Sequence, residues 1–277
     1  MQSCSVDLFQ TGDLNYCHAY TLDFNDDIAQ HSHPGWAFLL VKSGELTYSV
    51  EGKTFDVTPN SLVISRPGVV HMLQPKGPIL YERHTLDAVV ELLDKEILEQ
   101  IPQDLHVLDV SKNQIIQNLY EKVLYYLPRL PEKQMEALLK SLINELIMNI
   151  YVSTQTDYQS PKHTTEHLIA KILDYIHKHI REPLTVSQIS EAMSLSDGYL
   201  HLFFSKQMHM PIKKYIIMQK LQLVQKALHN NVHPTEACRQ YGFRNYSTFY
   251  RNYQKVYGCS PSDGSKLPPH GFELKDS

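Results

Sequence analysis

Residues 241–261 read YGFRNYSTFYRNYQKVYGCSP, and together with the preceding PTEACRQ (234–240) they describe two short helices hinged at a turn. Pro234 opens the first helix, at a position where its missing N–H costs nothing. Gly242 supplies the turn. The helix that follows is rich in tyrosine and polar groups. Upstream, LTVSQISEAMSLSDGYLHLFFSKQM (184–208) repeats the layout. Thr185 and Gln188 there form a capping box that fixes a helix start. MSLS ends that helix, and Ser196 is a good N-cap for the next. A short helix, a tight turn and a second helix make a helix-turn-helix, and two copies in one chain are far more specific than one.

Between the copies, Pro211 to His229 carries Ile216, Ile217, Leu221, Val224 and Leu228 at helical period. A helix of that length spans roughly 28 Å, close to the roughly 34 Å between successive major-groove faces on one side of B-DNA. Two reading heads would then sit about one DNA turn apart. Further upstream, TTEHLIAKILDYIHKHI (164–180) places Leu168, Ile169, Ile172, Leu173, Ile176 and Ile180 on one helical face. The stretch STQTDYQSPKH (153–163) is polar, lacks a period and contains a proline, the pattern of an interdomain linker.

The other half of the chain has a different period. From about Ala19 to Leu86, WAFLLVKS, ELTYSV, KTFDV, SLVIS and ILYERHTL carry strand-favouring residues, with SGE, EGK and TPN as breaks. This predicts an all-β barrel or sandwich. ELLDKEILEQI, IIQNLYEKVLYYL and MEALLKSLINELIMNIYV then repeat apolar residues every three to four positions, as amphipathic helices do. In the last of them Met135, Leu138, Leu139, Leu142, Leu146 and Ile150 form one stripe, which either packs on its own domain or offers a helix-to-helix dimer surface.

Composition agrees with two soluble units. A chain of 277 residues exceeds one average domain, and 42% hydrophobic with 20% charged residues reads as globular. No apolar run approaches the roughly 18 residues of a membrane span. MQSCSVDLFQ lacks the regions of a signal peptide, so a cytoplasmic protein without a membrane partner is expected. Cys4, Cys17, Cys238 and Cys259 are scattered without a CxxC pair, which suits reduced thiols. Residues 164–277 hold 14 Lys and Arg against 9 Asp and Glu, leaving 12 against 21 for the first half out of the totals of 26 and 30. Only the second half therefore suits a polyanion.

LTVSQISEAMSLSDGYLHLFFSKQM, PIKKYIIMQKLQLVQKAL and YGFRNYSTFYRNYQKVYGCSP together resemble the DNA-binding domain of AraC-type (AraC/XylS) transcription regulators, over about residues 166–262. The Gly-Phe turn, the following Ser-x-Phe and the terminal Gly-x-x-Pro are all in register. By the same resemblance, the β segment is similar to the cupin-type sensor barrel of that family, followed by helices that often dimerise. The implied architecture is multidomain α and β. A cupin-like effector-sensing and dimerisation domain spans 1–152, a linker 153–163, and an all-α DNA-binding domain with two helix-turn-helix units 164–262. A tail at 263–277, with two prolines and two glycines, is expected to be disordered. The implied partners are promoter half-sites of double-stranded DNA, a small-molecule effector such as a sugar or related metabolite, a second copy of the chain and RNA polymerase. No catalytic residue, cofactor or metal is assigned. Lys220 stands where the resemblance has arginine, Ser190 and Cys238 fill small-residue positions, and Ser194 replaces a turn glycine.

Carried residue by residue, the resemblance turns Tyr246, Ser247, Tyr250 and Arg251 of the second recognition helix toward the groove, with Phe249 and Tyr253 inward. Arginine bonds guanine bidentately, and hydroxyls suit phosphates. In the first helix the matching positions are Gly198, His201 and Leu202, with Leu200 and Phe203 in the core. Leu202 can touch a thymine methyl but donates no hydrogen bond, so this head is expected to contribute fit and phosphate contacts, including one from Lys206.

Three histidines complete the inventory. HSHPGW (31–36) places His31 and His33 two apart, on one face if the segment is a strand. His71 follows PGVV where the second cupin motif puts a histidine, and Asn60 takes the place of a turn glycine, as the left-handed conformation permits. The cupin glutamate is absent, since residues 37–39 are Ala, Phe and Leu. Three readings stay open: effector contacts made by His31, His33, Trp36, His71 and Arg83; rim residues with no ligand; or a metal site, which would make the chain a cupin metalloenzyme with an accessory helical domain. The missing carboxylate and the paired helix-turn-helix favour the sensing role.

Overall fold

A computed structural model describes residues 4–156 and 167–264 of the chain. Apart from the turn at 50–53, the elements before residue 157 form one compact unit, and those from His167 onward form a second. Among the described residues the first unit has ten strands: β1 (Cys4–Gln10), β2 (Leu14–Phe24), β3 (Ile28–His31), β4 (Trp36–Ser43), β5 (Leu46–Val50), β6 (Lys53–Val57), β7 (Ser61–Ser65), β8 (His71–Pro75), β9 (Ile79–Ala88) and β10 (Val107–Asp109). They make a six-stranded sheet, β1-β2-β9-β4-β7-β10, and a four-stranded sheet, β3-β8-β5-β6. Strand structure is already present at Cys4, earlier than the pattern from Ala19 suggests. Asn60 does adopt the left-handed conformation, at φ 66°, in the turn before β7.

Side chains alternate across a strand, so each sheet has two chemically distinct faces. On the six-stranded sheet, Leu14, Tyr16, Trp36, Phe38, Leu40, Leu62, Ile64, Leu86 and Ala88 pack in one core with three helices, α1 (Lys95–Gln100), α2 (Gln114–Tyr126) and α3 (Glu132–Thr156). The apolar stripe of α3 is buried in this core, with Leu138 partly so; it packs on its own unit. The register places Asn15, Asp87, Ala37 and Ser65 in one row of the opposite face and Ala19, Arg83 and Val41 in another. From that face Ser65 Oγ meets Tyr48 Oη at 3.1 Å and His71 Nε2 at 3.4 Å, both on the four-stranded sheet. The inner faces of the two sheets therefore look at each other.

Helix α3 runs to Thr156, into the stretch expected to be linker. Ser153 and Thr154 donate their hydroxyls to the carbonyls of Asn149 and Tyr151, at 2.8 and 2.6 Å, a bond open to these residues inside a helix. Residues 157–163 of that stretch lie outside the described residues.

Among the described residues the second unit is all helical: α4 (His167–Lys178), α5 (Val186–Ala192), α6 (Asp197–Met208), α7 (Ile212–His229), α8 (Pro234–Gln240) and α9 (Tyr246–Tyr257). The capping box of Thr185 and Gln188 opens α5, and Pro234 opens α8. Lys220 on α7, 4% exposed, donates Nζ to the carbonyls of Glu182, Tyr241 (3.2 Å) and Gly242 (3.0 Å). One ammonium thus ties the loop after α4 to the turn after α8. Ordered chain also continues beyond Ser262: the Gly264 carbonyl accepts from Gln225 Nε2 at 2.8 Å. The rest of the tail expected to be disordered, 265–277, lies outside the described residues. Among the described residues no helix is long and apolar enough to cross a membrane.

Candidate effector site and nucleic-acid interface

Strand β3 ends at His31, which pairs with His71 at the start of β8. His33 lies beyond the strand end, so strand alternation is not what aligns it with His31. The three rings nevertheless converge, with centroids 4.4 Å (His31–His71), 4.9 Å (His31–His33) and 5.1 Å (His33–His71) apart. Nδ1 of His31 faces the Ala29 carbonyl at 2.8 Å, and Nδ1 of His71 faces the Val69 carbonyl at 2.9 Å. A nitrogen facing a carbonyl must donate, which in a neutral ring leaves Nε2 as an acceptor. His71 is 3% exposed. Burial, then the neighbouring His31, pushes its pKa down to about 3, so it is neutral near pH 7. One nitrogen from each ring can be chosen so that the three lie within 4.8 Å of one another. Imidazoles so arranged, when neutral, accept hydrogen bonds from hydroxyls, and they are also chemically able to ligate a divalent metal.

Arg83 lies on the inner face of the six-stranded sheet, its guanidinium 5.5 Å from the Tyr81 ring centre. Asp87 is on the same face and accepts from Asn15 Nδ2 at 3.2 Å. Burial raises the Asp87 carboxyl to about 7, against the opposing pull of Asn15 and Arg83. Tyr81 Oη, Arg83 Nε, Asp87 Oδ1 and Asn15 Oδ1 are buried without a hydrogen-bond partner. Buried polar atoms in native proteins are normally satisfied, so each of these points to a ligand or ordered water. The sequence reading included Arg83 and missed Tyr81, Asp87 and Asn15. The signal was present in ILYERHTLDA, where the two-residue alternation puts Tyr81, Arg83 and Asp87 on one face.

Trp36 is placed elsewhere, which corrects its assignment as an effector contact. It is 8% exposed and packs in the helix-covered core, stacked on Phe38 at 5.9 Å, with the Arg66 guanidinium 5.2 Å from its ring centre. The reason is parity: Trp36 shares a face of β4 with Phe38 and Leu40, opposite the face of Ala37 and Leu39.

In the helical unit, Ser196 caps α6 by accepting from Tyr199 N at 3.2 Å, and Asn245 caps α9 by accepting from Thr248 N at 2.8 Å. Leu200 and Phe204 on α6, and Phe249 and Tyr253 on α9, are buried. Phe204 replaces Phe203 as the expected core residue, since a step of four from Leu200 returns to the same helix face. Phe203 instead stacks on Tyr199, with ring centres 5.8 Å apart. Gly198, Leu202 and Lys206 are exposed, Leu202 by 77%, and His201 is half-buried. On α9, Tyr246, Ser247 and Arg251 are exposed and Tyr250 is half-buried. Each helix therefore presents its expected contact residues outward.

Two family models match the chain: one described as AraC-like ligand binding domain over residues 19–147, and one described as Helix-turn-helix domain over residues 189–266. The probable transcriptional regulator LumQ of Photobacterium leiognathi is 22% identical over 244 residues, covering 87% of this chain and 93% of that one. The uncharacterized HTH-type transcriptional regulator YdiP of Escherichia coli K12 is 25% identical over 153 residues, 54% of this chain, and the chain spans 50% of its length. Among solved structures, the AraC-like transcriptional activator CuxR covers 79% of this chain and 80% of its own, at 15% identity and a TM-score of 0.45.

Proposed function

We propose that this chain, an AraC-type transcription regulator whose ligand-binding domain precedes a helix-turn-helix DNA-binding domain, senses a small hydroxylated metabolite between its two β-sheets. Its domains and relatives are those of a regulator and set aside the metalloenzyme alternative. Two observations support the proposal: three imidazoles converge at the end of one sheet, and polar atoms of Tyr81, Arg83 and Asp87 on the inward face of the other have no partner. Acceptors on one side, with a guanidinium and a carboxyl on the other, suit a polyol such as a sugar. The same proposal gives Tyr246, Ser247, Tyr250 and Arg251 the base-reading role, and Gly198, His201, Leu202 and Lys206 the backbone-fitting one. Two copies on paired half-sites, and contact with RNA polymerase, belong to it as well.

Effector and DNA would be linked reciprocally, each changing the other's affinity by the same factor. A thermal-shift screen against sugars tests the sensing half, since a ligand at 100 times its dissociation constant adds about 2.7 kcal/mol of stability. Arg83→Ala is expected to abolish the shift given by any hit; an undiminished shift would remove Arg83 from the site. Anisotropy on the gene's own upstream DNA at stated salt tests the other half, and no specific binding with or without a hit would overturn it.

Asp87 adds a pH dependence. Its carboxyl stays protonated in the fold up to about pH 7 and ionises near 3.8 once unfolded. The stability it contributes is therefore full below pH 4 and lost as pH rises toward 7. As a protonated group it can also donate to a ligand hydroxyl, so effector affinity is expected to fall above pH 7 in the wild type. In Asp87→Asn, titration calorimetry should find no such fall.

A further inference from the structure

The helix-covered face of the six-stranded sheet carries a second group of metal-ligating side chains, outside the effector site. His18 on β2 stands directly opposite His84 on β9, and Glu82 precedes His84 by two residues, so all three share a face. The two rings stack at 4.5 Å. His18 Nε2 lies 3.2 Å from Glu82 Oε1, and ligand atoms of all three residues fall within 4.8 Å of one another. Ligands about 2.0–2.1 Å from a tetrahedral zinc lie about 3.3 Å apart, so the nearest pair already has that spacing.

The remaining ring nitrogens are held from behind. His18 Nδ1 meets Asp7 Oδ2 of β1 at 3.1 Å, and His84 Nδ1 meets the Tyr16 hydroxyl at 2.8 Å. Metal-binding histidines characteristically have their second nitrogen fixed by a carboxylate or another acceptor, which sets the tautomer and aims the first nitrogen. Without a metal, the same distances describe His18 bridging Asp7 and Glu82. That arrangement gives no role to the other nitrogen of buried His84, whereas a cation uses all three donors at once.

We propose that His18, His84 and Glu82 form a binding site for a divalent transition-metal ion of zinc's ligand preference, with Asp7 and Tyr16 as positioning residues. Two imidazoles and one carboxylate suit zinc with a fourth position for water. The bound ion would cross-link β2 to β9, and through Asp7 would steady the edge strand β1.

The test uses the full chain, stripped with a chelator and dialysed, carrying His33→Ala so that the three-histidine cluster does not compete. Zinc is added and measured by elemental analysis after gel filtration, with Tm followed in parallel and cobalt absorption reporting coordination. One zinc per chain and a raised Tm are expected. His18→Gln and Glu82→Gln should each lose the zinc and the Tm rise, and Asp7→Asn should weaken affinity about 10- to 100-fold. His18 and Glu82 both reach the surface, so their conservative variants are expected to fold; if one does not, the other decides. No uptake by the parent, or equal uptake in the folded variants, overturns the proposal.

Discussion

Ser196 and Asn245 open the two recognition helices in the same way, and the next steps run in parallel. Four residues on come Leu200 and Phe249, eight residues on Phe204 and Tyr253, all buried. The same steps align Gly198 with Ser247, His201 with Tyr250 and Leu202 with Arg251, so the outward chemistry differs where the inward chemistry repeats. The ties between helices differ too. In the first helix-turn-helix Asp197 accepts from Ser187 Oγ at 2.7 Å and from Ser190, which hold its carboxyl below the usual range. In the second, Cys238 is buried among apolar groups and Tyr246 lies edge-on to Phe249 at 5.4 Å. A duplicated frame needs only equivalent volume and capping, whereas base reading depends on the donors each copy presents.

The turns give the sharpest contrast and the largest expected effect. Ser194 and Gly242 both have left-handed backbones, at φ 56° and 67°. A Cβ on Gly242 would lie 2.3 Å from the Glu182 carbonyl oxygen and 2.7 Å from Lys220 Nζ. Gly242→Ala therefore combines left-handed strain with backbone overlap, for a loss of about 2–5 kcal/mol in urea unfolding. A smaller loss would mean the turn relaxes freely. Next comes Lys220→Met, which keeps the stem but leaves three carbonyls without their shared donor. Burial draws that ammonium down to about 8, so it is charged at pH 7. About 2–3 kcal/mol is expected, and a near-neutral result would show that water replaces the ammonium.

Much of this was legible beforehand because it rests on local rules. The capping box at Thr185, the cap at Ser196, the proline start at Pro234 and the α3 stripe are each set by a few neighbouring residues. What escaped depended on register. Trp36 faces the helices because of its parity with Phe38, which no composition of the HSHPGW segment reveals. Asp87 and Tyr81 join Arg83 only once β9 is paired with β2. Helix α3 continues past Val152 because hydroxyls that suggest a linker can also bond back to the preceding turn.

The exposed faces give the intermediate effect. Arg251→Ala is expected to cost about 1–3 kcal/mol of DNA binding and to relax preference at one base pair. Leu202→Ala, at the equivalent place, removes only an apolar contact and should cost less than about 1 kcal/mol, spread evenly over sequences. Selection from randomised half-sites compares them directly. An unchanged base preference in Arg251→Ala, or a lost one in Leu202→Ala, would reverse the division of labour between the two heads.

The smallest effect returns to the first turn. Ser194 is exposed, and its left-handed backbone carries a strain of about 1–2 kcal/mol that glycine would not. Glycine in turn loses about 0.5–1 kcal/mol more entropy on folding. Ser194→Gly should therefore stabilise the chain by up to about 1 kcal/mol, opposite in sign to Gly242→Ala although both residues occupy the same backbone region. The difference lies in their surroundings, because the second turn is pressed against the Glu182 carbonyl while the first faces solvent. A destabilised Ser194→Gly in the same urea titration would show that the serine hydroxyl supports the first turn.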